Sequence, residues 1–279
     1  MQPSTAPTSV GTSTGTGTVS TRAGSGVGWA VRDTIAMVWR NLTVIRRVPQ
    51  LLVFSLVQPL IFVLMFRYVF GGAIKIPGLA YVDYLMPGIF VQTVAFGAIN
   101  TAIGLAEDKN KGLLERLQSL PMSRSAVLAG RVLADSTRNV FIVVLMLVVG
   151  FLVGFNTHTN PLKVAAGVGV LVFFGFALSW IFAFIGLLVT NGEAAQAAAF
   201  PLLAPLVFAS SAFVNPASMP GPLKWWAERQ PVSVTATGVR SLMLGGKQFP
   251  IDYVWASLAW SAGITVLFSL LAILRFRKN

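Results

Sequence analysis

A short charged segment, "AEDKNKGLLERLQSLPMSR" at residues 106–124, separates two long apolar stretches of the chain. Its first six residues include two acids and two bases, and Pro121 closes it. Leucines follow on one helical stripe, at Leu113, Leu114, Leu117 and Leu120. A second stripe carries Lys111, Glu115 and Gln118. An amphipathic helix of this type can insert its leucines into a groove of another protein while the charges fix its register. The segment therefore predicts a helix that docks on another protein.

Residues for catalysis or metal binding are missing from the sequence. The chain has no cysteine, which excludes a disulfide framework and a thiolate metal site. Its single histidine, His158, lies in the loop "NTHTNP", and a pH sensor would need a partner for it. The sequence contains no H-E-x-x-H motif, no serine–histidine–carboxylate arrangement and no G-x-x-x-x-G-K-[ST] phosphate loop. We predict no catalytic residue, no metal site and no ATP site of that kind in this chain.

The elements that must position the charged segment are apolar. Of the 279 residues, 55% are hydrophobic and 11% are charged, which is outside the range of soluble globular proteins. Six apolar runs approach or exceed the ~20 residues that a helix needs to cross a bilayer. They are Leu51–Phe66, Leu85–Leu105, Val140–Phe155, Val164–Thr190, Ala194–Val214 and Val254–Leu274. The fold class that we predict is an all-α integral membrane protein with six transmembrane helices in residues 50–274.

The distribution of basic residues predicts the orientation. The N-terminal segment, the loop from Lys109 to Arg138 and the tail from Arg275 to Lys278 hold 14 of the 21 lysines and arginines. Because basic loops stay in the cytoplasm, both termini and the loop at residues 106–137 are expected there. The net charge of +12 follows from the lysines and arginines that stay in cytoplasmic loops, where anionic membrane lipid attracts them. No basic patch in the sequence indicates nucleic-acid binding. Residues 275–279 are expected to form a short basic tail.

Two further segments precede the first apolar run. Residues 1–27 contain 17 Gly, Ser or Thr, which predicts a disordered tail that carries little chemistry. Residues 28–49 place Val31, Ile35, Val38 and Leu42 on one helical face, while most of the arginines lie elsewhere. This pattern predicts an interfacial amphipathic helix on the cytoplasmic leaflet. The alternative, an extension of the first span, would carry arginines into hydrocarbon.

The loop at residues 106–137 contains a second predicted helix. Ser123 or Ser125 can cap it, and it leads directly into the third apolar run. Arg131, Asp135 and Arg138 have the spacing for i,i+4 and i,i+3 ion pairs.

The apolar runs two to six contain no acid or base. Ion-coupled transporters generally need ionisable groups inside the membrane, so a secondary transporter or channel is disfavoured, although sodium binding by backbone and hydroxyl oxygens stays open. If these helices move a solute, the energy comes from outside this chain.

Residues 215–253, between the fifth and sixth runs, are too long for a tight turn. They contain five prolines together with Trp225, Trp226 and Phe249. Interrupted helices with interfacial aromatic residues predict a segment that partly re-enters the membrane from the outer face. An ordinary outer loop with an aromatic belt is the alternative.

Two patches together resemble the membrane subunits of ABC-2 type exporters, most closely the daunorubicin/doxorubicin-resistance permeases. The first is the order E-x-x-x-x-G-x-x-E-x-L-x-x-x-P-x-x-R, met by Glu107, Gly112, Glu115, Leu117, Pro121 and Arg124. The second is "MPGPLKWWAERQPVSVTATGVRSLMLGG" at 219–246, where Gln230 replaces the family's usual asparagine before proline.

The resemblance implies partners. A cytoplasmic ABC ATPase subunit would bind ATP and magnesium, and a second permease subunit, a copy or a sister protein, would complete a dimer in a bacterial plasma membrane. The charged segment would be the coupling helix that docks on the ATPase, through Glu107, Gly112, Leu114, Glu115, Leu117, Pro121 and Arg124.

The resemblance also implies a substrate pathway, because spans two and five of the family face the dimer axis. The candidate lining residues are Gln92, Phe96, Asn100, Phe200, Phe208, Ser210 and Ser211. Amides in apolar helices also serve helix packing, and Pro201 and Pro205 are expected to kink span five. The expected cargo is an apolar or amphipathic molecule, drug-like or lipid. A polysaccharide or glycolipid exporter is the alternative within the same architecture.

Overall fold

The computed structural model describes residues 50–72, 76, 78–113 and 124–278, and within them the chain is helical. An isolated bridge between Ile76 and Leu79 is the only strand-type pairing in this part. The elements are α1 (Gln50–Leu64), continued by a π-helical segment (Met65–Phe70), α2 (Tyr81–Asn110), α3 (Arg124–Leu152), α4 (Pro161–Leu188), α5 (Gly192–Phe208), a 3-10 turn (Pro216–Ser218), α6 (Gly221–Arg229), α7 (Pro231–Met243) and α8 (Asp252–Lys278).

Four helical stretches are long and apolar enough to cross a membrane. They are Tyr81–Asn110, Leu128–Leu152, Pro161–Leu188 and Asp252–Phe276. Two shorter apolar helices, Leu56–Val69 and Gly192–Phe208, correspond to the first and fifth predicted spans. The helical, membrane-type fold class is therefore confirmed, and four of the six predicted spans have full length.

Helix α2 is the centre of the bundle. It packs against α3, α4, α5 and α7, and the ring of its Phe90 meets Phe155 edge-on with centroids 6.0 Å apart. The most apolar part of α2 is 72% buried, whereas the corresponding part of α8 is 17% buried. Helix α8 is apolar and largely exposed, and water is an unfavourable surrounding for such a surface. Its outer face is therefore suited to contact with lipid or with another subunit.

Long-range contacts define two ends of the bundle. At one end, which we call the Asn110 end, Leu105, Leu128, Leu187 and Phe276 share one buried cluster. This cluster brings together the end of α2, the start of α3, the end of α4 and the end of α8. At the opposite Tyr81 end, the hydroxyl of Tyr81 donates to the carbonyl of Phe213 over 3.2 Å. The basic tail and both sides of the charged loop thus lie at the same end.

The helix termini follow local sequence signals. Pro161 and Pro231 occupy first-turn positions of α4 and α7, where proline removes no needed N–H. Asn191 caps α5 by accepting from the N–H of Ala194 over 2.8 Å. After α3, Gly154 takes a φ of +94°, and Phe155 N–H donates 2.8 Å back to the Gly150 carbonyl, which closes the helix end.

Several predicted boundaries differ from the observed ones. The fifth helix ends at Phe208 instead of Val214, because the carbonyls of residues 211–213 accept from side chains of α2 and α7 and leave the helical path. The third helix begins at Arg124, which confirms that the loop helix runs directly into the apolar run. The observed helices extend beyond the predicted apolar runs and include two buried acids, Asp83 and Asp135. The absence of acids and bases therefore applies to the predicted runs and not to the whole helices.

Other predictions lie outside the described residues. The tail at 1–27 and the amphipathic helix at 28–49 belong to this group, as do Leu114, Glu115, Leu117 and Pro121 of the charged segment.

Candidate functional site

The described part of the charged segment begins at the last turns of α2. Glu107 forms an exposed i,i+4 ion pair with Lys111, with Oε2 and Nζ 3.3 Å apart. The carboxylate of Glu107 also covers Gly192 at the start of α5, where a β-carbon would lie 3.0 Å from Oε1. Gly112 then takes a φ of +65°, a left-handed conformation that favours glycine. Arg124, the last residue of the motif, is the first residue of α3.

A buried network joins the two helices that carry the charged loop. Asp135 of α3 is 5% exposed and accepts a 2.7 Å hydrogen bond from the hydroxyl of Thr101 in α2. Arg131 lies 3.5 Å and Arg138 3.9 Å from the same carboxylate. The predicted pairing is therefore confirmed, and Thr101 is an additional partner that spacing alone did not indicate.

Both arginines of this network also bond to α2. Arg131 pairs with Asp108 over 3.1 Å, and Arg138 donates 3.0 Å to the carbonyl of Gly97. Gly104 permits the approach of α3, since a β-carbon there would overlap the guanidinium of Arg131. We call Thr101, Asp108, Arg131, Asp135 and Arg138 the α2–α3 clamp. It joins α2 and α3, the two helices on either side of the charged loop.

Lys109 fixes a third helix at this end. Its ammonium donates to the carbonyls of Leu187 and Val189 over 3.1 and 3.4 Å, at the C-terminus of α4. A cation at this position satisfies terminal carbonyls and complements the helix dipole. The Asn110 end thus forms one connected polar layer.

Three of the predicted pathway residues share one cavity midway along α2. Gln92, Phe96 and Asn100 line a space of about 80 Å³ together with Gln58 and Pro59 of α1. Gln92 is 2% exposed, and its Oε1 atom has no hydrogen-bond partner within the part of the chain that the structure describes. Asn100 donates 3.1 Å to the carbonyl of Gly97. The cavity therefore offers amide groups, one of them with an unused acceptor.

Two more pathway residues continue this region on α5. Phe200 and Phe208 are about half exposed, and their ring centroids lie 6.0 and 6.4 Å from that of Phe96. The array extends from Phe208 to Phe62 of α1, at 6.0 Å. We call Phe62, Phe96, Phe200 and Phe208 the phenylalanine cleft. Its rings form an apolar surface beside the amide cavity.

The remaining two pathway residues occupy a different place. Ser210 and Ser211 are buried at the Tyr81 end, beyond the last turn of α5. The N–H of Ser211 donates to Ser233 of α7 over 2.9 Å, and Ser211 lines a separate cavity next to Arg240. Ser211 holds the chain after α5 against α7, whereas Ser210 bonds locally to the carbonyl of Val207 and the N–H of Ala212. Neither serine lines the amide cavity.

Sequence reasoning missed Arg240, which was counted only as an outer basic residue. It is 1% exposed on α7 and bonds to three backbone carbonyls. A basic residue between Gly238 and Ser241 carries no local signal of burial, because its partners lie up to 156 residues away. Gln230, the departure from the family pattern, caps neither helix with its side chain but donates 2.9 Å to the carbonyl of Ala209.

The fold is that of a helical protein with helices long and apolar enough to cross a membrane, and the comparisons with known proteins identify its family. A family model described as "ABC-2 type transporter" matches residues 32–244. The chain belongs to the ABC-2 type transporter family. The predicted resemblance is confirmed.

Particular relatives narrow the class. The daunorubicin resistance ABC transporter permease protein DrrB1 of Streptomyces coeruleorubidus is 35% identical over 250 residues, which are 90% of this chain and 88% of that protein. A probable doxorubicin resistance permease, DrrC of Mycobacterium tuberculosis, is 28% identical over 80% of each chain. The putative transport permease ycf38 of Cyanophora paradoxa is 26% identical over 89% of each. The chain is thus similar to permease subunits of drug-resistance exporters.

Proposed function

We propose that the chain is the membrane-spanning subunit of an ATP-driven exporter that moves an apolar or amphipathic molecule out of the cell. The carrying observation is the match to drug-resistance permeases over nine-tenths of the chain. A separate ATPase subunit binds ATP and magnesium, and two permease subunits, identical or sister chains, form the transport unit.

The phenylalanine cleft and the amide cavity form the cargo path in this proposal. Half-exposed rings at Phe200 and Phe208 offer planar apolar contacts, which favour aromatic or alkyl cargo. The unused acceptor of Gln92 supplies one polar contact beside them. A cargo with an apolar body and a hydrogen-bonding group fits both features.

The α2–α3 clamp is the mechanical link to the ATPase. The coupling helix at residues 106–124 docks on the ATPase through the leucine stripe and the motif residues from Glu107 to Arg124. Because Asp135 and Arg131 tie α3 to α2 by bonds of 2.7 Å to Thr101 and 3.1 Å to Asp108, movement of the docked segment displaces both helices as a unit. Helix α2 carries Gln92 and Phe96, so this displacement reaches the cargo path.

The topology in the proposal has six spans with both termini in the cytoplasm of a bacterial cell membrane. The Asn110 end then faces the cytoplasm, and the segment at 215–253 re-enters the membrane from outside. Its supports are the basic residues at the Asn110 end and the position of α7, which packs against α2, α4 and α8 instead of extending into solvent.

Transport in vesicles tests the proposal. The chain is reconstituted with its ATPase, and uptake of a fluorescent apolar drug into inside-out vesicles is measured with ATP. Phe200→Ala should raise the KM for cargo several-fold, whereas Phe141→Ala, a matched loss of a half-exposed ring on α3, should leave it unchanged. Uptake by the chain alone under an ion gradient would overturn the ABC mechanism. Transport of glycolipids but not of the apolar drug would instead favour a polysaccharide or glycolipid exporter.

A further inference from the structure

A second, larger cavity opens at the Tyr81 end. Its volume is about 440 Å³, within the range of small-molecule sites. The walls come from the 3-10 turn, from α6, from α7 and from the segment 248–253, while Tyr84 of α2 and Ser211 contribute from the bundle. It shares no lining residue with the amide cavity. The two are separate sites.

Arg240 is the buried cation of this cavity. Its Nε donates 2.9 Å to the carbonyl of Tyr84, and Nη2 donates 2.9 Å to each of the carbonyls of Ser211 and Ala212. The guanidinium carbon lies 3.7 Å from the centroid of the Tyr84 ring. Nη1 reaches only the hydroxyl of Ser211, at 3.5 Å. A guanidinium has five N–H groups, so one N–H of Nη1 has no hydrogen-bond partner among the described residues.

Within the described residues, no carboxylate pairs with Arg240. Glu228 lines the same cavity, but its Oε1 lies 3.8 Å from Nζ of Lys224, which also lines it. The charged groups of the cavity are therefore two cations and one anion. Burial of a cation without a counter-ion costs several kcal/mol, and neutral carbonyls and a ring face offset this only in part.

We propose that this cavity binds an oxyanion, the phosphate or carboxylate group of a small molecule or lipid, on Nη1 of Arg240. An oxyanion neutralises the excess positive charge of the cavity. It also accepts a charge-assisted hydrogen bond from the N–H of Nη1 that has no partner among the described residues. Thr237, one turn earlier on α7 and also lining the cavity, adds a hydroxyl donor on the same helix face. Lys224 at the side wall supplies a second cation.

A purely structural role for Arg240 accounts for the three carbonyl bonds but not for the cavity. Those bonds fix residues 211–212 to α2, and Gly88 packs so closely on Ala212 that a side chain there would overlap the Ala212 carbonyl. Arg240 and Lys224 both line an open space of ligand size, which the carbonyl bonds do not require. The site is independent of the proposed cargo path, so each can fail alone.

Native mass spectrometry of the full-length permease measures the site. The protein is held in mixed micelles with equal amounts of phosphatidylglycerol and diacylglycerol, which differ in the anionic phosphoglycerol head group. A second arm measures the shift in unfolding temperature with inorganic phosphate or acetate. We expect retention of phosphatidylglycerol over diacylglycerol if a lipid is the source. Stabilisation by the free anion indicates a soluble source. Both results support an oxyanion site.

Thr237→Glu provides an internal oxyanion next to Arg240, three residues away on one helix face. It should lower retention of the anion at least about tenfold and keep or raise the unfolding temperature. Thr237→Gln, of similar size to glutamate, removes the hydroxyl but adds no negative charge, so it should lower retention of the anion by only about threefold, much less than Thr237→Glu. Lys224→Ala, on the exposed side of α6, should weaken binding several-fold and tests the site should Thr237→Glu fail to fold.

The proposal is overturned if the unmodified protein shows neither phosphate selection between the lipids nor stabilisation by any anion. It is also overturned if Thr237→Glu and Thr237→Gln retain the anion equally, because the ligand would then not contact Arg240. Loss of binding in Lys224→Ala together with full binding in a folded Thr237→Glu would move the site to the surface of α6 and would also refute it.

Discussion

Asp135 contacts three other residues of the α2–α3 clamp, so the effect of its removal on stability can be estimated. The carboxylate is 5% exposed, accepts from Thr101 and is the nearest acid to Arg138. Asp135→Asn keeps the shape but leaves the Arg138 guanidinium, itself mostly buried, without a counter-charge. Loss of one partner of a buried pair costs about 3–5 kcal/mol. We expect the free energy of unfolding to fall by that amount.

Thr101→Val tests the hydrogen bond alone. Hydrogen bonds to charged groups contribute about 1.5–3 kcal/mol, and interhelical bonds in membrane proteins reach at most about 1.7 kcal/mol. The overlap of these ranges predicts a loss of about 1.5 kcal/mol. Thr137→Val is the matched control, because its exposed hydroxyl bonds only within α3, to Leu133, and should change stability by less than about 0.5 kcal/mol.

The assay is reversible unfolding in mixed micelles at increasing denaturant, combined with stimulation of the partner ATPase. In an Asp135→Ala background, which removes the acceptor as well as the charge, Thr101→Val should be nearly neutral, which a double-mutant cycle reports as a coupling of about 1 kcal/mol or more. Equal effects of Thr101→Val and Thr137→Val, or a loss below about 1 kcal/mol for Asp135→Asn, would refute the clamp.

Two further predictions concern the charged segment and the topology. Glu115→Lys and Leu117→Asp should abolish export at normal abundance, because a mismatched or buried charge in the docking groove blocks ATPase association in a pull-down, whereas Lys163→Ala at the Tyr81 end should be silent. Normal export by both variants with the ATPase bound would mean a passive loop. Cysteines placed at Ser119 and Gly245 in this cysteine-free chain should be labelled only from the cytoplasm and only from outside, respectively, and labelling of both from one face would rule out six spans.

Local spacing predicted the interactions that lie within one helix. The pairing of Asp135 with Arg131 and Arg138 follows from three- and four-residue steps on a single helix, which geometry alone places side by side. The grouping of Gln92, Phe96 and Asn100 in one cavity follows from the same helical period, since these residues recur every four positions on α2. Ser210 and Ser211 fall outside this rule, because α5 ends at Phe208 and the helical period no longer applies to them.

The sequence by itself determined the membrane class, the helical fold and the family. Long apolar runs leave a chain no other way to satisfy its backbone in lipid, and the motif from Glu107 to Arg124 is contiguous. Only the tertiary structure decided which polar groups are partnered. Thr101 meets Asp135 across 34 residues, and Arg240 meets the Tyr84 carbonyl across 156. Such partners depend on how separate helices pack, which no local pattern in the sequence encodes.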